Sequence, residues 1–392
     1  MPFGSEGVQP GIALALSGGG FRATLFHCGA LWRLNELGYL QKLARISSVS
    51  GGSITAGLLA IKWASLDFDK GVARKLQTEV LDPLKAFCGR SIDVPSIVEG
   101  TLLPWKTISD ALSAHYDREL YKGRTLQDLP DLPRFVFNST NLATGVDFRF
   151  SKPYAGDYRI GLIKRPAFPL SLAVAASSAF PPVLSPVGMK VDPKAFEKTP
   201  GADLYDSESY RTQLSLTDGG AYDNLGLETA WKRFDTLLVS DAGAPFSYGP
   251  DQGTDWLHQS LRVLDITTNQ ARGLRKRVLI DLLTRGGRKG TYWGIMTEIR
   301  KYGLTDSLPV PPEVTAQLAR IRTRLNPFTE AEQRTLINWG YAVCDAALRK
   351  WVEPGAAPPK GWPYPDFPLN KSLDPQVKVE ASTDLVDPVS AP

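Results

Sequence analysis

The stretch Ser17-Gly18-Gly19-Gly20-Phe21-Arg22 decides the fold, because its three glycines separate an apolar strand pattern from a helical pattern. Residues 11–16 are typical of a buried strand, and residues 21–37 repeat apolar side chains at helical spacing. Glycine amides at such a junction form an anion site, since their N–H groups and the helix dipole both point at the ligand. We therefore expect an anion-binding loop where the first strand meets the first helix.

A second junction of the same kind carries a serine. The string Ser48-Val49-Ser50-Gly51-Gly52 lies between a strand pattern at 45–49 and a helical pattern at 54–63. A strand, a sharp turn and a helix hold a nucleophilic serine on an elbow with its hydroxyl exposed. The first position of the G-x-S-x-G elbow pattern is here a serine, which is small but not glycine, so the match is imperfect. An alternative interpretation is a turn rich in glycine and serine that has no catalytic role.

An acidic residue follows much later, in Asp218-Gly219-Gly220, at the end of the apolar run 214–216. An aspartate can accept a serine proton directly when partial burial raises its pKa. The glycine loop, the elbow serine and this aspartate supply an anion site, a nucleophile and a base, which are the parts that ester hydrolysis requires. The three motifs as a set therefore predict an enzyme.

The three histidines of the chain are weaker candidates for the base. His27 lies inside the first helix, and His115 lies in an irregular region. His258 follows Asp218 and would keep the Ser-Asp-His order of α/β-hydrolases, but it lies in a helical pattern and not in a loop after a strand. A Ser-His-Asp esterase with His258 is therefore an alternative to an aspartate that acts alone.

The glycine loop also allows a binding protein without catalysis. Gly18, Gly20 and Ala23 fit the dinucleotide pattern G-x-G-x-x-A, which needs an acidic residue about 20 positions later, at the end of the second strand. That strand ends at Ser50, and the nearest acid, Glu36, lies inside the first helix. A nucleotide- or lipid-binding protein that uses the loop without turnover stays open, although binding alone requires neither the serine nor the aspartate.

Four blocks that occur in this order resemble the patatin-like phospholipase family. They are the glycine loop with its arginine, the Ser-Gly-Gly elbow, a small-residue and proline segment at 175–182, and Asp-Gly-Gly. The string Ser-Gly-Gly-Gly-Phe-Arg-Ala is especially similar to the loop of cytosolic group IV phospholipases. The resemblance covers roughly residues 11–240.

The resemblance implies a lipid acyl hydrolase, of phospholipase A or lysophospholipase type, that acts on a phospholipid or lysophospholipid without cofactor or metal. In that family a Ser–Asp dyad replaces the triad, which implies that Ser50 is the nucleophile and Asp218 is the base. The family's glycine loop forms the oxyanion hole. Carried over to this sequence, the backbone donors are Gly19, Gly20 and Gly51, and the residue that contacts the substrate phosphate is Arg22.

Strands alternate with helices up to about residue 250, which favours an α/β fold with a mostly parallel sheet. With the resemblance, we expect a three-layer α/β/α patatin-like sandwich. We divide the chain into a catalytic core at 1–250, a helical C-terminal extension at 251–352 that packs on the core, and a proline-rich extended tail at 353–392. The irregular residues 66–131 follow the serine helix and are candidates for a lid.

The composition describes a globular protein with a small excess of positive charge. The chain has 392 residues, 43% of them hydrophobic, and a formal net charge of +4, which is too small to indicate a nucleic-acid partner. Three separated cysteines indicate neither a disulfide framework nor a zinc site, and no metal-ligand spacing appears. No secretory signal and no run of membrane-spanning length is visible. We therefore expect a cytoplasmic protein that contacts membranes only peripherally.

One basic stretch indicates where such a contact would occur. Residues 272–289 contain seven lysines and arginines against the single acid Asp281, with leucine and valine side chains interleaved at helical spacing. This pattern is expected of an interfacial helix on an anionic bilayer. The alternative is the solvated face of an ordinary surface helix.

Overall fold

The computed structural model describes residues 7–90, 108–181, 184–246, 248, 253 and 255–380. Residues 91–107 of the candidate lid, Pro182 of the proline segment and the tail beyond residue 380 therefore lie outside the described residues. The strands, in chain order, are β1 (Gln9–Leu16), β2 (Leu43–Ser48), β3 (Phe68–Asp69), β4 (Val72–Ala73), β5 (Arg134–Asn141), β6 (Val146–Phe150), β7 (Tyr154–Asp157), β8 (Gly161–Lys164), β9 (Val187–Lys190), β10 (Phe196–Glu197), β11 (Gln213–Asp218), β12 (Phe234–Asp241) and β13 (Lys289–Gly294). The α-helices are α1 (Gly20–Glu36), α2 (Gly51–Lys62), α3 (Asp82–Cys88), α4 (Ile108–Tyr116), α5 (Leu170–Ser177), α6 (Ser209–Thr212), α7 (Gly220–Asp223), α8 (Glu228–Trp231), α9 (Trp256–Thr284), α10 (Pro312–Ala319) and α11 (Glu330–Trp351).

Five parallel strands form the centre of the main sheet, in the order β5-β2-β1-β12-β13. Antiparallel strands β6, β7, β8 and β10 continue the sheet beyond β5. Strand β11 pairs antiparallel with the last residues of β5 and with β9. The expected α/β fold with a parallel sheet at its centre is confirmed, since helices connect the neighbouring parallel strands.

Alternate side chains of β1 mark the two apolar layers of the molecule. Leu14 and Leu16 pack into a large core together with side chains of α1, α2 and α11. Ala13 and Ala15 pack into a smaller core together with side chains of α8 and α9. Because a strand directs successive side chains to opposite faces, this division defines the three layers α/β/α.

The segment expected to be a helical extension also completes the sheet. Its strand β13 pairs parallel with β12, and its last helix, α11, packs on α1. A Cβ placed on Gly29 would lie 1.9 Å from the carbonyl oxygen of Ile337, and one on Gly340 would lie 1.9 Å from that of Phe26. Glycine on each helix allows the two backbones to approach this closely, so residues after 250 share the core of the residues before it.

The described part of the tail lies against α11. Residues 353–380 contain no helix or strand, but Asn338 Nδ2 donates to the carbonyl oxygens of Tyr364 at 2.9 Å and Phe367 at 2.8 Å. Leu369 is buried in the large core. Within the described part of the chain, no helix is both long enough and apolar enough to cross a bilayer.

Candidate active site

The elbow serine lies at a sharp turn between β2 and α2. Ser50 has φ 51° and ψ −121°, a backbone conformation that residues other than glycine rarely adopt. The turn lies against the first loop, because a Cβ on Gly51 would be 2.0 Å from the carbonyl oxygen of Gly20, and one on Gly52 would be 2.5 Å from that of Leu16. The two glycines after the serine are therefore required where two backbones meet.

Ser48, at the position where the elbow pattern has glycine, is accommodated by hydrogen bonds. Its buried hydroxyl donates to the carbonyl oxygen of Val136 at 3.3 Å and accepts from the Ser53 hydroxyl at 3.0 Å. Ser53 also bonds to the hydroxyl of Ser177 at 2.8 Å. Because buried hydroxyl groups cost little when they have partners, the departure from the pattern is compatible with the turn.

Strand β5 brings the aspartate to the serine elbow. Ser48, at the end of β2, pairs with Phe137 of β5. Asp218, at the end of β11, pairs with Ser139, two positions further along the same strand. Two motifs that are far apart in the sequence therefore end beside each other at one edge of the sheet.

Helix α5, the small-residue segment of the sequence, holds the two loops together through its last residue. The carbonyl oxygen of Ser177 accepts hydrogen bonds from the amides of both Ser50 and Gly219, each at 3.2 Å. The Ser177 hydroxyl accepts a further bond from the Ser50 amide at 3.1 Å and donates to the carbonyl oxygen of Asn138 at 2.6 Å. This helix therefore fixes the spacing between the elbow and the aspartate loop.

The Asp218 carboxyl group is buried, and burial raises its pKa to about 6. Hydrogen bonds from the Gly220 amide, at 2.7 Å, and from the Ser50 hydroxyl oppose this rise because they stabilise the charged form. A carboxylate with this pKa is a stronger base than a solvated one and is still ionised at neutral pH. The electrostatics of the site therefore suit proton transfer from the serine.

The glycine loop lies beside the serine and is covered by a segment from much later in the chain. A Cβ on Gly18 would lie 3.1 Å from the Cβ of Ser50. Gly19 and Gly20 have φ values of 137° and 54°, which favour glycine. A Cβ on Gly20 would lie 1.5 Å from the carbonyl oxygen of Thr323, in the connection between α10 and α11. Side chains are therefore excluded from the loop on both of its sides.

Three backbone amides at this junction donate to no acceptor within the described ranges, namely those of Gly19, Gly20 and Gly51. Gly20 and Gly51 begin α1 and α2, and the first amides of a helix have no partner inside that helix. These are the amides predicted to form the oxyanion hole. That they point at a substrate oxygen stays a prediction.

Arg22, predicted to contact a substrate phosphate, bonds to backbone carbonyl oxygens of the protein. Its side chain is 1% exposed, and Nη1 donates to the carbonyl oxygens of Ala319 at 2.7 Å and Ile321 at 2.6 Å. Nη2 donates to the carbonyl oxygen of Ala242 at 2.8 Å. Burial lowers the pKa of this guanidinium to about 9. Because both terminal nitrogens bond to backbone carbonyls, Arg22 ties the segment after α10 to α1 and is not directed at a phosphate.

Two of the histidines are engaged by other partners. His27 is buried, with Nδ1 2.8 Å from the Ser240 hydroxyl and Nε2 2.9 Å from the carbonyl oxygen of Ser17, and burial lowers its pKa to about 4. His258 is exposed, and its Nδ1 lies 2.5 Å from the carboxylate of Asp255 at the start of α9. In the described ranges no group of three His, Cys, Asp or Glu side chains could hold a metal ion. These contacts favour the aspartate over a histidine as the base.

The structure adds Asn224, a site residue that sequence reasoning missed. Its side-chain amide lies close to three glycines and fills the space that their side chains would need. A Cβ on Gly18 would lie 2.3 Å from Asn224 Oδ1, and a Cβ on Gly220 would lie 2.7 Å from the same oxygen. A Cβ on Gly243 would lie 2.8 Å from Asn224 Nδ2. The signal available in the sequence was its position six residues after Asp218. An asparagine after a short turn is too common to be singled out without the fold.

The basic stretch 272–289 lies mostly in α9, but two of its arginines serve the fold. Arg272 pairs with the buried Asp241 at 2.8 Å, and Arg275 pairs with Glu228 at 3.2 Å. These two cations are therefore engaged within the fold, and contact of the stretch with a membrane stays a prediction. The helix also exposes six large apolar side chains, and the four most accessible, between 50% and 78%, are Trp256, Val263, Leu274 and Val278.

This fold and this site define the class of α/β proteins that place a serine on a strand–turn–helix elbow. A sequence profile described as patatin-like phospholipase matches residues 14–231, which is more than half of the chain. The protein belongs to the patatin-like phospholipase family.

Several solved structures match the chain at low identity. Human GIVD cytosolic phospholipase A2 in complex with methyl gamma-linolenyl fluorophosphonate is 13% identical, with a TM-score of 0.48 over 87% of this chain and 58% of that chain. VipD from Legionella pneumophila is 14% identical, with a TM-score of 0.34 over 86% of this chain and 66% of that chain. A chain in the crystal structure of full-length SpcU in complex with full-length ExoU from Pseudomonas aeruginosa is 17% identical, with a TM-score of 0.28 over 71% of this chain and 53% of that chain.

The match therefore spans about half to two thirds of the length of these proteins. A search of curated proteins finds no match. Membership of the family accordingly rests on the sequence profile.

Proposed function

We propose that this protein hydrolyses acyl ester bonds of lipids, with Ser50 as the nucleophile and Asp218 as the base. The observation that carries the proposal is the buried pair itself, a serine on a tight elbow and a carboxyl group whose pKa burial raises to about 6 and the Ser50 hydroxyl lowers. Membership of the patatin-like phospholipase family supports a lipid ester as the substrate. We take phospholipids and lysophospholipids as the substrate class.

In the acylation step, Ser50 Oγ attacks the ester carbonyl carbon while the Asp218 carboxylate accepts the hydroxyl proton. The negative charge that develops on the carbonyl oxygen is stabilised by the backbone amides of Gly19, Gly20 and Gly51. The tetrahedral intermediate then expels the alcohol, which takes the proton from Asp218. A water molecule cleaves the acyl-enzyme with Asp218 again as base, and the serine regains its proton. These steps use neither a metal nor a cofactor.

The test is hydrolysis of p-nitrophenyl butyrate and of phosphatidylcholine by four variants. Ser50→Ala and Asp218→Asn should each lower kcat/KM by at least about 1000-fold, because each removes a member of one catalytic unit. The double variant should be little worse than either single one, since effects within such a unit are not additive. His258→Ala is the matched control and should keep most of the activity.

Two outcomes would contradict this mechanism. A folded His258→Ala variant as inactive as Ser50→Ala would indicate a Ser-His-Asp triad. Tight lipid binding by the wild-type protein without any release of fatty acid would favour the non-catalytic binding protein.

We also propose that α9 rests on an anionic membrane surface. Trp256, Val263, Leu274 and Val278 recur at intervals that place them on one side of the helix. Arg277, in the same half of the helix as Leu274 and Val278, is exposed. Exposed apolar side chains next to cations are the features of a helix that lies in a membrane interface.

A further inference from the structure

We propose that Asn224 positions the water molecule that hydrolyses the acyl-enzyme. The inference rests on the Ser50–Asp218 mechanism proposed above and adds a residue to it. Neither the three sequence motifs nor the family resemblance singled out this asparagine. Its place at the meeting point of the glycine loop, the elbow and the aspartate loop is a product of the fold.

Two glycines locate the amide oxygen of Asn224. The point where a Cβ on Gly18 would stand lies 2.3 Å from Asn224 Oδ1 and 3.1 Å from the Cβ of Ser50. The point where a Cβ on Gly220 would stand lies 2.7 Å from the same oxygen and 2.9 Å from Asp218 Oδ1. The amide oxygen therefore lies beside both the serine and the aspartate.

The asparagine is bonded to the glycine loop through its backbone, and its side chain lies near Arg272. Its backbone carbonyl oxygen accepts a hydrogen bond from the Gly18 amide at 3.0 Å. On the other side, a Cβ on Gly243 would lie 2.8 Å from both Asn224 Nδ2 and Arg272 Cζ, and Arg272 is anchored by its ion pair with Asp241. The backbone of Asn224 is thus fixed to the glycine loop, and its amide nitrogen lies near an anchored guanidinium.

The Asn224 side chain is nevertheless available to bind. Among the described residues, neither its Oδ1 nor its Nδ2 forms a hydrogen bond, although an amide can accept two and donate two. The residue is only partly buried. An unpaired, anchored amide beside a nucleophile and a base is suited to hold a small polar molecule, and water is the second substrate of the proposed reaction.

A hydrogen-bond acceptor beside the base would orient the attacking water in deacylation. The water oxygen attacks the acyl carbonyl carbon and passes one proton to the Asp218 carboxylate. Its second hydrogen stays on the oxygen, and Asn224 Oδ1, which lies near Asp218, can accept a hydrogen bond from it. The bond from the acyl carbon to Ser50 Oγ then breaks, Oγ takes the proton from Asp218, and the fatty acid leaves. Asn224 acts by orienting the lone pair of the water toward the carbonyl carbon.

Stopped-flow hydrolysis of p-nitrophenyl butyrate by Asn224→Ala tests the proposal. We expect a burst of p-nitrophenol equal to the enzyme concentration, followed by a slower steady state. The ratio of the steady-state rate to the burst rate should be about 10-fold to 100-fold lower in the variant than in the wild type. The reason is that misplacement of a reactant by about 1 Å can slow a reaction by about 100-fold. The rate of covalent labelling by a fluorophosphonate, a reaction that uses the serine and the aspartate but no water, should be unchanged. Acylation and deacylation are thereby measured separately.

Two further variants keep the test decisive. Asn224→Leu preserves the size of the side chain without its hydrogen bonds and should give the same burst. Asn35→Ala removes a buried asparagine elsewhere in the fold, whose amide bonds to the Ala73 backbone, and should leave the ratio of the two rates unchanged. Thermal unfolding of each variant separates a loss of stability from a loss of positioning.

The proposal is overturned by a folded Asn224→Ala variant with the wild-type ratio of rates, or by labelling and turnover that fall in parallel. Parallel loss would assign Asn224 to acylation or to loop structure. Failure of the proposed function looks different: the wild-type protein would then not be labelled at Ser50, and Ser50→Ala would still hydrolyse the ester.

Discussion

The site depends on a single carboxyl group that the fold keeps in an unfavourable environment. Burial raises the pKa of Asp218 from its ordinary value of 3.8 to about 6. The folded state therefore binds a proton on Asp218 more tightly than the unfolded state does. The stability that the protonated carboxyl group contributes is lost as the pH rises from about 4 through about 6. At neutral pH this corresponds to a cost of up to about 3 kcal/mol.

Activity and stability should consequently respond to pH in opposite directions. We expect kcat/KM for a neutral ester to rise as the pH passes through about 6, because Asp218 must be ionised to act as a base. The inactive variant Asp218→Asn should be more stable than the wild type at pH 7, by up to about 3 kcal/mol, and should lose this advantage at pH 4. Urea unfolding at the two pH values measures the difference, and an advantage that grows at pH 4 would contradict it.

At the scale of elements, the glycine loop is supported by a segment that follows it by about 300 residues. Arg22, in the first turn of α1, donates to two carbonyl oxygens at the end of α10, and the backbone of Thr323 covers Gly20. The shape of the loop therefore depends on how α10 and the connection to α11 pack, because a glycine-rich backbone has no side chains of its own to brace it.

Arg22→Ala and Arg22→Lys should therefore reduce activity on phospholipids and on neutral p-nitrophenyl esters in parallel. Both variants should lower the free energy of unfolding by about 3 kcal/mol, because they leave buried carbonyl groups without donors. Lysine should recover little, since its single ammonium cannot reproduce the geometry of the guanidinium. A loss of activity confined to phospholipids, at unchanged thermal stability, would instead support the phosphate contact predicted from the sequence.

The apolar side of α9 gives a second prediction at this scale. Leu274→Ser and Val278→Ser together should reduce sedimentation of the protein with phosphatidylglycerol vesicles, because they remove exposed apolar surface from the proposed interface. Binding of the wild type should weaken as salt screens the exposed cations over a Debye length of about 10 Å at 0.1 M. Leu142→Ser, a change at another exposed leucine, is the matched control. Equal sedimentation of both variants would indicate that α9 is an ordinary solvated helix.

At the scale of the whole molecule, helix α11 joins the last part of the chain to the first. Gly340 of α11 lies against the backbone of Phe26, and Gly29 of α1 lies against that of Ile337. Helices α10 and α11 therefore share the large core with α1 and α2, the helices that follow the glycine loop and the elbow. Loss of the α1–α11 contact should affect the stability of all of it.

Gly340→Ala should lower the free energy of unfolding by about 3 kcal/mol, because the added methyl group overlaps a backbone carbonyl that cannot move away. Gly355→Ala provides the control, since a Cβ at that position meets no atom within 4 Å. Thermal and urea unfolding of the two variants make the comparison. A Gly340→Ala variant with wild-type stability would mean that α11 is not seated on α1 as described.

Much of the architecture could be predicted because it depends on neighbouring residues. Apolar runs interrupted by glycines specify strand, turn and helix locally, and they correctly indicated the α/β fold and the turn at Ser50. The expectation for the last third of the chain was less complete. Strand β13 lies between helices and has few apolar residues, so only its pairing with β12 identifies it as part of the sheet.

The sequence by itself determined the local machinery of this protein: a glycine loop, a serine elbow and an aspartate after a strand, since the conformations of glycine and of short strand–helix junctions are properties of adjacent residues. Only the tertiary structure decided that Arg22 bonds to the end of α10, that Asn224 lies beside Ser50, and that the carboxyl group of Asp218 is buried enough to raise its pKa. These features depend on which distant elements pack together and exclude water. No local pattern encodes that, because contacts between distant elements and desolvation exist only in the folded chain.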